Sequence, residues 1–561
     1  MSGTNEKIKK LGFAEIITAV SLLCVGTFHE YISCFLSVAM LIYIIVRAAA
    51  KKSLRLFINI TSVSVFFILL FYALSIFWAI DGGMAAIGVF KYLPVLLYLL
   101  ILMQTESSDS IISALPVLAS VTTVISAICM YIPPLTDYFS VSGRLCGFFE
   151  YPNTYAIFAL ACELIVISRE KYRIWDVVML AVTVFGILLS QSRTVFVIFV
   201  ISNLVLILVT KSKKIKIITV SAAGAIALAA ALYIAVSGNT AILGRFAGIS
   251  LGSSTFSGRL LYFRDALPLI LKHPFGLGYM GYYYVQRSVQ TGVYSVMYVH
   301  NEFLQILLDI GWVPGLLFIA AVFKSIFFGK KPFCNRVILC SIAMHCCFDF
   351  DLQYISVFMI MLLFTDFRGG KEITLKKPDI VSGVCFLTSA ACIYFGIALA
   401  LSHFNRHKAA LSMYPFNTQS ELQLLTEEKN KTAAENMADD ILSRNKYAAL
   451  AYTVKARNAF AKGDFKKVME YKNAVLLVAP FSYSEYREYC NMLVTGVTLY
   501  KKAGDTESAK ICFDELKRVA DEVHNIKDRQ SPLGLKISSQ PVTRLSDKME
   551  SYIANGGAVS D

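Results

Sequence analysis

Charge is what this sequence is short of. Only 16% of its 561 residues are charged, against about 25% in an ordinary soluble chain. Acid is the scarcer sign, with 39 Asp+Glu beside 53 Lys+Arg. A 56% hydrophobic share and a mean hydropathy of +0.60 take the place of the missing charge. Such values exclude a soluble enzyme over most of the length, and they exclude disorder, which needs low hydrophobicity. The net charge of +14 is also unevenly placed. Residues 403–561 hold 23 Lys+Arg and 20 Asp+Glu, whereas residues 1–402 hold 30 and 19. The basic excess therefore lies in the apolar part.

An all-α, polytopic membrane protein follows from that pattern. A helix crosses the hydrocarbon core with about 20 apolar residues. Such stretches fall near 11–29, 31–48, 57–80, 84–104, 110–132, 153–168, 174–190, 194–210, 217–236, 301–328, 334–348, 352–366 and 379–402, giving about 13 transmembrane helices. Lys/Arg in short loops sets orientation. Lys7, Lys9 and Lys10 put the N-terminus in the cytoplasm, and Lys51, Lys52, Arg55, Arg169, Lys171, Arg173, Lys211, Lys213, Lys214, Lys216, Lys330 and Lys331 fall on the same side. Splitting 334–366 at Phe348-Asp349-Phe350-Asp351 keeps the basic stretch from Arg368 to Lys377 on that side and moves two acids out of lipid. A cleavable signal peptide is not expected, because the first span is followed at once by another. Most of the 13 cysteines lie inside spans, where they act as small hydrophobes. Cys490 and Cys512 in the soluble part have the option of pairing.

The chemistry is expected on the exported side. The stretch 237–299 is too long for an ordinary connection. It holds Arg245, Arg259, Arg264, Lys272 and Arg287 against the single acid Asp265, and seven tyrosines including Tyr283. One reading is a solvated loop with an interfacial tyrosine belt. The other is a site for an anionic substrate, with arginines on phosphate and tyrosines against sugar rings. Arg193 and Arg144 stand at other exported mouths, as snorkelling anchors or as ligands. Lys91 lies about three turns inside its span, roughly 12–15 Å from the exported end. His300 opens the span after the large loop, where it serves either as a polar cap or as a general base, with Asn301 and Glu302 placed to orient its ring.

At these residues the chain resembles the O-antigen ligase and O-antigen polymerase superfamily. The resemblance rests on Arg144…Pro152-Asn153, Ser192-Arg193, Ser257-Gly258-Arg259, His273-Pro274-Phe-Gly276-Leu-Gly278 and His300-Asn301…Gly311, in that order, over roughly residues 131–364. It implies a GT-C-like glycosyltransferase that moves a glycan from undecaprenyl diphosphate to an acceptor hydroxyl by a metal-independent inverting displacement. It further implies that Arg193 and Arg259 bind the diphosphate, that His300 activates the acceptor, and that Asp349 or Asp351 assists. Arg144, Lys91, Arg264 and Tyr283 complete the expected substrate-binding set. No metal, nucleotide or other cofactor is implied. The family's Gly-x-x-Gly after the His is one residue longer here, Gly311-Trp-Val-Pro-Gly315, which bears on the ligase label more than on the superfamily.

Three domains are expected: residues 1–402 as the membrane glycosyltransferase with a large exported loop at 237–299, residues 403–530 as an exported helical-repeat domain, and residues 531–561 as a polar tail with room to be flexible. In the middle one Gly463-Asp464 echoes Gly504-Asp505, and Pro415-Phe416 echoes Pro480-Phe481. These echoes suit tetratricopeptide-like hairpins, although the 41-residue offset exceeds the usual 34. The expected partners are the undecaprenyl-diphosphate-linked glycan, a glycan, lipid or protein acceptor, membrane lipids, and a protein partner at the repeat domain; no nucleic acid is expected. The expected place is a bacterial cytoplasmic membrane, with the C-terminal domain exported. Two other classes compete: a transporter or flippase of lipid-linked sugars, for which only Lys91 and His345 lie deep, and a scaffold working through its repeats.

Overall fold

The structure, a computed structural model, describes residues 12–210, 212–214, 216–221, 224, 231 and 254–557. The predicted N-terminal lysines, most of the predicted span 217–236 and Arg245 lie outside the described residues. The protein is all-α and polytopic, with two small two-stranded sheets.

Four helices are long and apolar enough to cross a membrane unaided: Glu30–Lys51, Gly82–Gln104, Asp109–Cys129 and Pro378–His403. Shorter apolar helices, including Phe13–Leu23, Ile60–Ser75, Pro152–Ile167, Ile174–Ser190, Arg193–Val209, Trp312–Phe327 and Phe333–Cys346, coincide with predicted spans. The helices sort by burial. Pro152–Ile167 and Ile355–Leu363 are enclosed almost throughout. By contrast, Asp109–Cys129 exposes Val117, Val121, Val124 and Ile128, and Pro378–His403 exposes Ile380, Val384 and Leu387. An outer face of bare aliphatic side chains is stable against hydrocarbon rather than water.

One predicted span and the large loop differ in form. The stretch 301–328 is not one helix but two, Glu302–Ile310 and Trp312–Phe327, broken at Gly311. Gly311 has φ +84°, and a Cβ there would lie 2.2 Å from the Pro274 carbonyl oxygen. Trp312 N donates to that same oxygen (2.9 Å), and Leu277 N donates to Leu308 O (2.6 Å). Gly276 lies equally close to Asp309, with 2.4 Å left for a Cβ. The glycines of the His273–Gly278 run and Gly311 are thus two sides of one backbone contact. The large loop is also more regular than expected: it contains helices Ser254–Lys272 and Gly281–Val289. Leu261, Asp265, Leu269 and Ile270 of the former are buried at helical spacing, the periodicity that holds it down.

At the opposite end of the bundle, Leu54–Ile58 pairs antiparallel with Lys371–Leu375, Leu54 opposite Leu375. Two stretches that the charge pattern assigns to one side are therefore neighbours in space.

Residues 403–557 form paired helices, among them Ala449–Ala461 with Phe465–Val478 and Tyr483–Lys502 with Thr506–His524. The repeated Gly-Asp is a turn device. Gly463 and Gly504 take φ of +73° and +76°, and the following Asp464 and Asp505 cap the next helix by accepting from Lys467 N (3.1 Å) and Ser508 N (3.0 Å). This region is seated on the membrane body. Tyr414 donates to Gly83 O (2.7 Å), and Asn445 donates to Asp81, which itself caps the Gly82–Gln104 helix. Residues 531–557 are not loose. Ser531 N donates to Thr291 O (2.9 Å), Ser538 N donates to Ser254 Oγ (2.8 Å), and Ile537 and Leu545 are buried. The alternation of polar residues there hides a few apolar anchors. Cys490 and Cys512 are buried and unbonded, as free thiols.

Candidate functional site

The turn between Phe333–Cys346 and Ile355–Leu363 carries the centre of the site. Asp349 in this turn is fully buried and accepts from several parts of the chain: Asn153 Nδ2 (2.7 Å), the Tyr151 hydroxyl (3.0 Å), Arg259 Nη2 (3.1 Å) and its own neighbour Phe350 N (3.1 Å). His300 Nδ1 lies 3.2 Å from Oδ1, the oxygen that also accepts from Tyr151 and Phe350 N, while Asn153 and Arg259 donate to Oδ2. Burial pushes this carboxyl up, but the hydrogen bond with His300 and the Arg259 guanidinium outweigh burial and hold it well below the usual carboxylate range. An ionised carboxylate only accepts, so the contact places the proton on Nδ1 and leaves Nε2 as the basic nitrogen. Arg259 and His300 retain 13% and 20% side-chain exposure. Asp349 is therefore sealed, while the groups it holds reach the surface.

Each partner arrives on a different element. Arg259 sits on Ser254–Lys272 and also donates to Thr194 Oγ1 (3.3 Å), at the start of Arg193–Val209. Arg193 reaches back to Thr255 Oγ1 (3.4 Å). The two helix starts thus exchange contacts and hold two guanidinium groups near one another. Arg144 donates to Asn153 Oδ1 (2.6 Å) and Ser190 O (2.9 Å), which joins a third arginine to Asp349 through Asn153. His300 has φ +57°, a left-handed backbone unusual for a residue with a side chain. Phe350 meets its ring edge-on at 5.0 Å, and Tyr262 lies at 5.9 Å.

Asn301 and Glu302 do not orient the ring. Asn301 caps the Glu302–Ile310 helix through Leu304 N and donates to Cys347 O, both at 3.0 Å. Glu302 accepts from Leu352 N (3.0 Å) and Gln353 N (3.3 Å). Both clamp the Asp349 turn from behind. Asp351 is likewise turned away, holding His345 Nδ1 (2.5 Å) and Thr154 Oγ1 (2.8 Å).

Three expected site residues lie elsewhere. Lys91 is buried, bonded to Phe28 O and placed 4.9 Å over the Phe28 ring, where it faces Glu30 rather than Asp349. Arg264 is exposed. It comes five residues after Arg259 on the same helix, about 140° round the axis. Tyr283 lines a second cavity. Conversely, Tyr151, Asn153, Thr194, Tyr262 and Phe350 join the site without having been selected. Asn153 and Tyr151 adjoin Pro152 in the Arg144…Asn153 run, which was the signal available for them. Among the described residues no group of His, Cys, Asp and Glu suits a metal ion.

The long glycine spacing has a structural meaning as well. Gly311 breaks the helix, and Gly315, one turn on, lies against Leu307, with 2.6 Å left for a Cβ. No curated protein matches the chain. A family model described as O-antigen ligase does match, over residues 178–319. That match runs from within Ile174–Ser190 through Arg193, Arg259 and His300 to Trp312–Phe327. The match supports an O-antigen ligase domain over those residues and, with it, a membrane glycan-transfer role in polysaccharide biosynthesis.

Proposed function

We propose that the protein transfers or polymerises glycans from an undecaprenyl-diphosphate donor onto an acceptor hydroxyl, with His300 as general base and Arg259, Arg193 and Arg144 as the diphosphate ligands. The observation that carries this reading is one carboxylate, Asp349, bonded to both His300 and Arg259. It fixes the imidazole tautomer and the guanidinium in a single rigid arrangement. The acceptor oxygen attacks C1 of the donor sugar as its proton passes to His300 Nε2. The C1–O bond to the diphosphate breaks on the opposite face, and its electron pair leaves with the lipid diphosphate. One displacement inverts the anomeric centre. Arginines in a partly dehydrated site stabilise the growing negative charge more strongly than water does.

In this reading residues 1–402 are the transferase body and the His300 face is the exported face of a bacterial cytoplasmic membrane, with the N-terminus on the other side. Residues 403–530 form a tetratricopeptide-like domain able to bind a protein partner. The paired helices and their Gly-Asp turns support that assignment. The test is glycan transfer by purified protein from a defined lipid-linked donor. Arg259→Ala and His300→Ala are each expected to lower the rate at least 100-fold with normal membrane insertion. Wild-type rates in both variants would refute the site.

A further inference from the structure

A second cavity, of about 460 Å³, opens where four parts of the chain meet: the turn before Glu30–Lys51, Met84 and Ile87 of Gly82–Gln104, the helix Gly281–Val289 with Tyr298, and the start of the C-terminal region from Ser402 to Gln423. Its volume lies in the range of small-molecule sites. Its chemistry differs from that of the Asp349 centre. No lysine or arginine lines it, and Glu30 is its one carboxylate, with the buried Lys91 behind the wall facing Glu30 and bonded to Phe28 O. Glu30 is already engaged, accepting from the Tyr279 hydroxyl (2.5 Å). The rest of the polar lining is imidazole, phenol and amide, including His407, Asn417, Gln419 and Gln423. The rings of His29 and His403 lie 4.3 Å apart, and Tyr31 lies 5.0 Å from His403, so one wall is a continuous aromatic surface. Tyr283 and Tyr298 belong to the facing lining.

Such a wall does not attract phosphate. Flat rings with interspersed donors and acceptors suit a neutral, hydroxyl-rich molecule, whose C–H faces pack on rings and whose hydroxyls pair with amides and imidazoles. The cavity is also connected to the chemistry. Tyr298 packs on Phe350 at 5.3 Å, and Phe350 packs on His300 at 5.0 Å. We propose that this cavity is a saccharide-binding subsite, built jointly by the membrane body and residues 402–423, that seats the neutral sugar portion of a substrate while the arginine cluster takes its charged portion. The proposal rests on the transferase reading and adds a residue set to it.

The experiment uses the full chain in detergent and, as probe, the oligosaccharide released by mild acid from the lipid-linked pool of the source cells. Saturation-transfer NMR is expected to show sugar protons in contact with the wild type. The signal is expected to fall about tenfold in Gln419→Trp, which fills the cavity, and severalfold in His403→Ala, which removes part of its wall without crowding. It is expected to persist in His300→Ala. In the transfer assay, Gln419→Trp and His403→Ala are expected to raise KM for one glycan substrate at nearly constant kcat. A rise for the lipid-linked donor assigns the subsite to the donor sugar, and a rise for the acceptor assigns it to the acceptor glycan. Undiminished sugar signal in both variants would overturn the subsite, as would a cavity that takes up prenyl phosphate in preference to sugar. Wild-type transfer by Arg259→Ala and His300→Ala would instead overturn the transferase site, an outcome that the binding measurement reads separately.

Discussion

One turn holds two acid–imidazole pairs, and they differ in everything but composition. Asp349 faces His300, and two residues on Asp351 faces His345. His345 and Asp351 are both 0% exposed, whereas the His300 side chain is 20% exposed and shares its carboxylate with Arg259. Both carboxylates are out of water, so burial alone does not mark a catalytic group. What differs is whether the partner ring keeps access to the surface. The sealed pair ties Phe333–Cys346 to its own following turn and, through Thr154, to Pro152–Ile167. In the proposed mechanism the open pair positions a base and a cation.

Breaking each pair separates these roles. His300→Ala is expected to lower transfer by 100-fold to 10,000-fold, the scale of a lost general base, with little change in melting temperature. His345→Ala leaves a buried carboxylate without its partner and is expected to cost about 3–5 kcal/mol of stability, read as a fall in thermal midpoint by intrinsic fluorescence. Equal effects of the two on activity at matched folded fraction would erase the distinction. Replacing the acids sharpens it. Asp349→Asn is expected to cost about 100-fold in kcat by releasing the tautomer that leaves Nε2 basic. Asp351→Asn is expected to change kcat by no more than a few-fold once stability is matched. A smaller contrast compares the two arginines of one helix. Arg259→Lys loses the fixed planar fork and is expected to raise donor KM about tenfold, while the exposed Arg264→Lys is expected to leave it within twofold.

The pH dependence supplies the smallest effect. The folded carboxyl of Asp349 lies below its unfolded value, so its stabilising contribution is fully present above about pH 4, the unfolded range. That contribution is lost only as pH falls through the lower folded value. No acid limb from Asp349 is therefore expected in the pH–rate profile between pH 5 and 8. Arg259→Gln removes one of the groups that depress it and is expected to shift the onset of acid inactivation upward, measured as residual transfer after brief acid exposure.

Much of this was legible in the sequence, for identifiable reasons. Apolar stretches and Lys/Arg loops indicated the helices, because lipid imposes a composition that water does not. His300, Arg193 and Asp349 stand out as polar groups at the ends of apolar stretches, whereas Arg259 stands in the large basic loop and is singled out by the Ser257-Gly258-Arg259 run of the family resemblance. Arg264 reads as a site residue because residues 254–272 read as loop, where spacing assigns no face; the helix formed there turns it about 140° away from Arg259. Nearness along the chain makes Asn301 and Glu302 read as ring partners. A cap position instead turns Asn301 toward Leu304 N and Cys347 O. Lys91 was recognised as deep, but its neighbours Phe28 and Glu30 come from a distant stretch, and no local pattern carries that information. Gly311 was noted for its spacing, yet its packing against Pro274 depends on two backbones meeting across a tertiary contact.

His300 sits at φ +57°, in a region that costs a residue with a Cβ about 1 kcal/mol or more and costs glycine almost nothing. The position thus sets function against robustness. His300→Gly is expected to remove transfer while melting no lower than His300→Ala, and the difference between the two melting curves would measure the backbone penalty less the extra unfolded-state entropy of glycine. A drift toward greater thermal robustness at this position would lead to glycine and the loss of the base. In the proposed mechanism the imidazole is kept at the expense of that backbone relaxation, so activity and thermal robustness are expected to trade against each other at this one position.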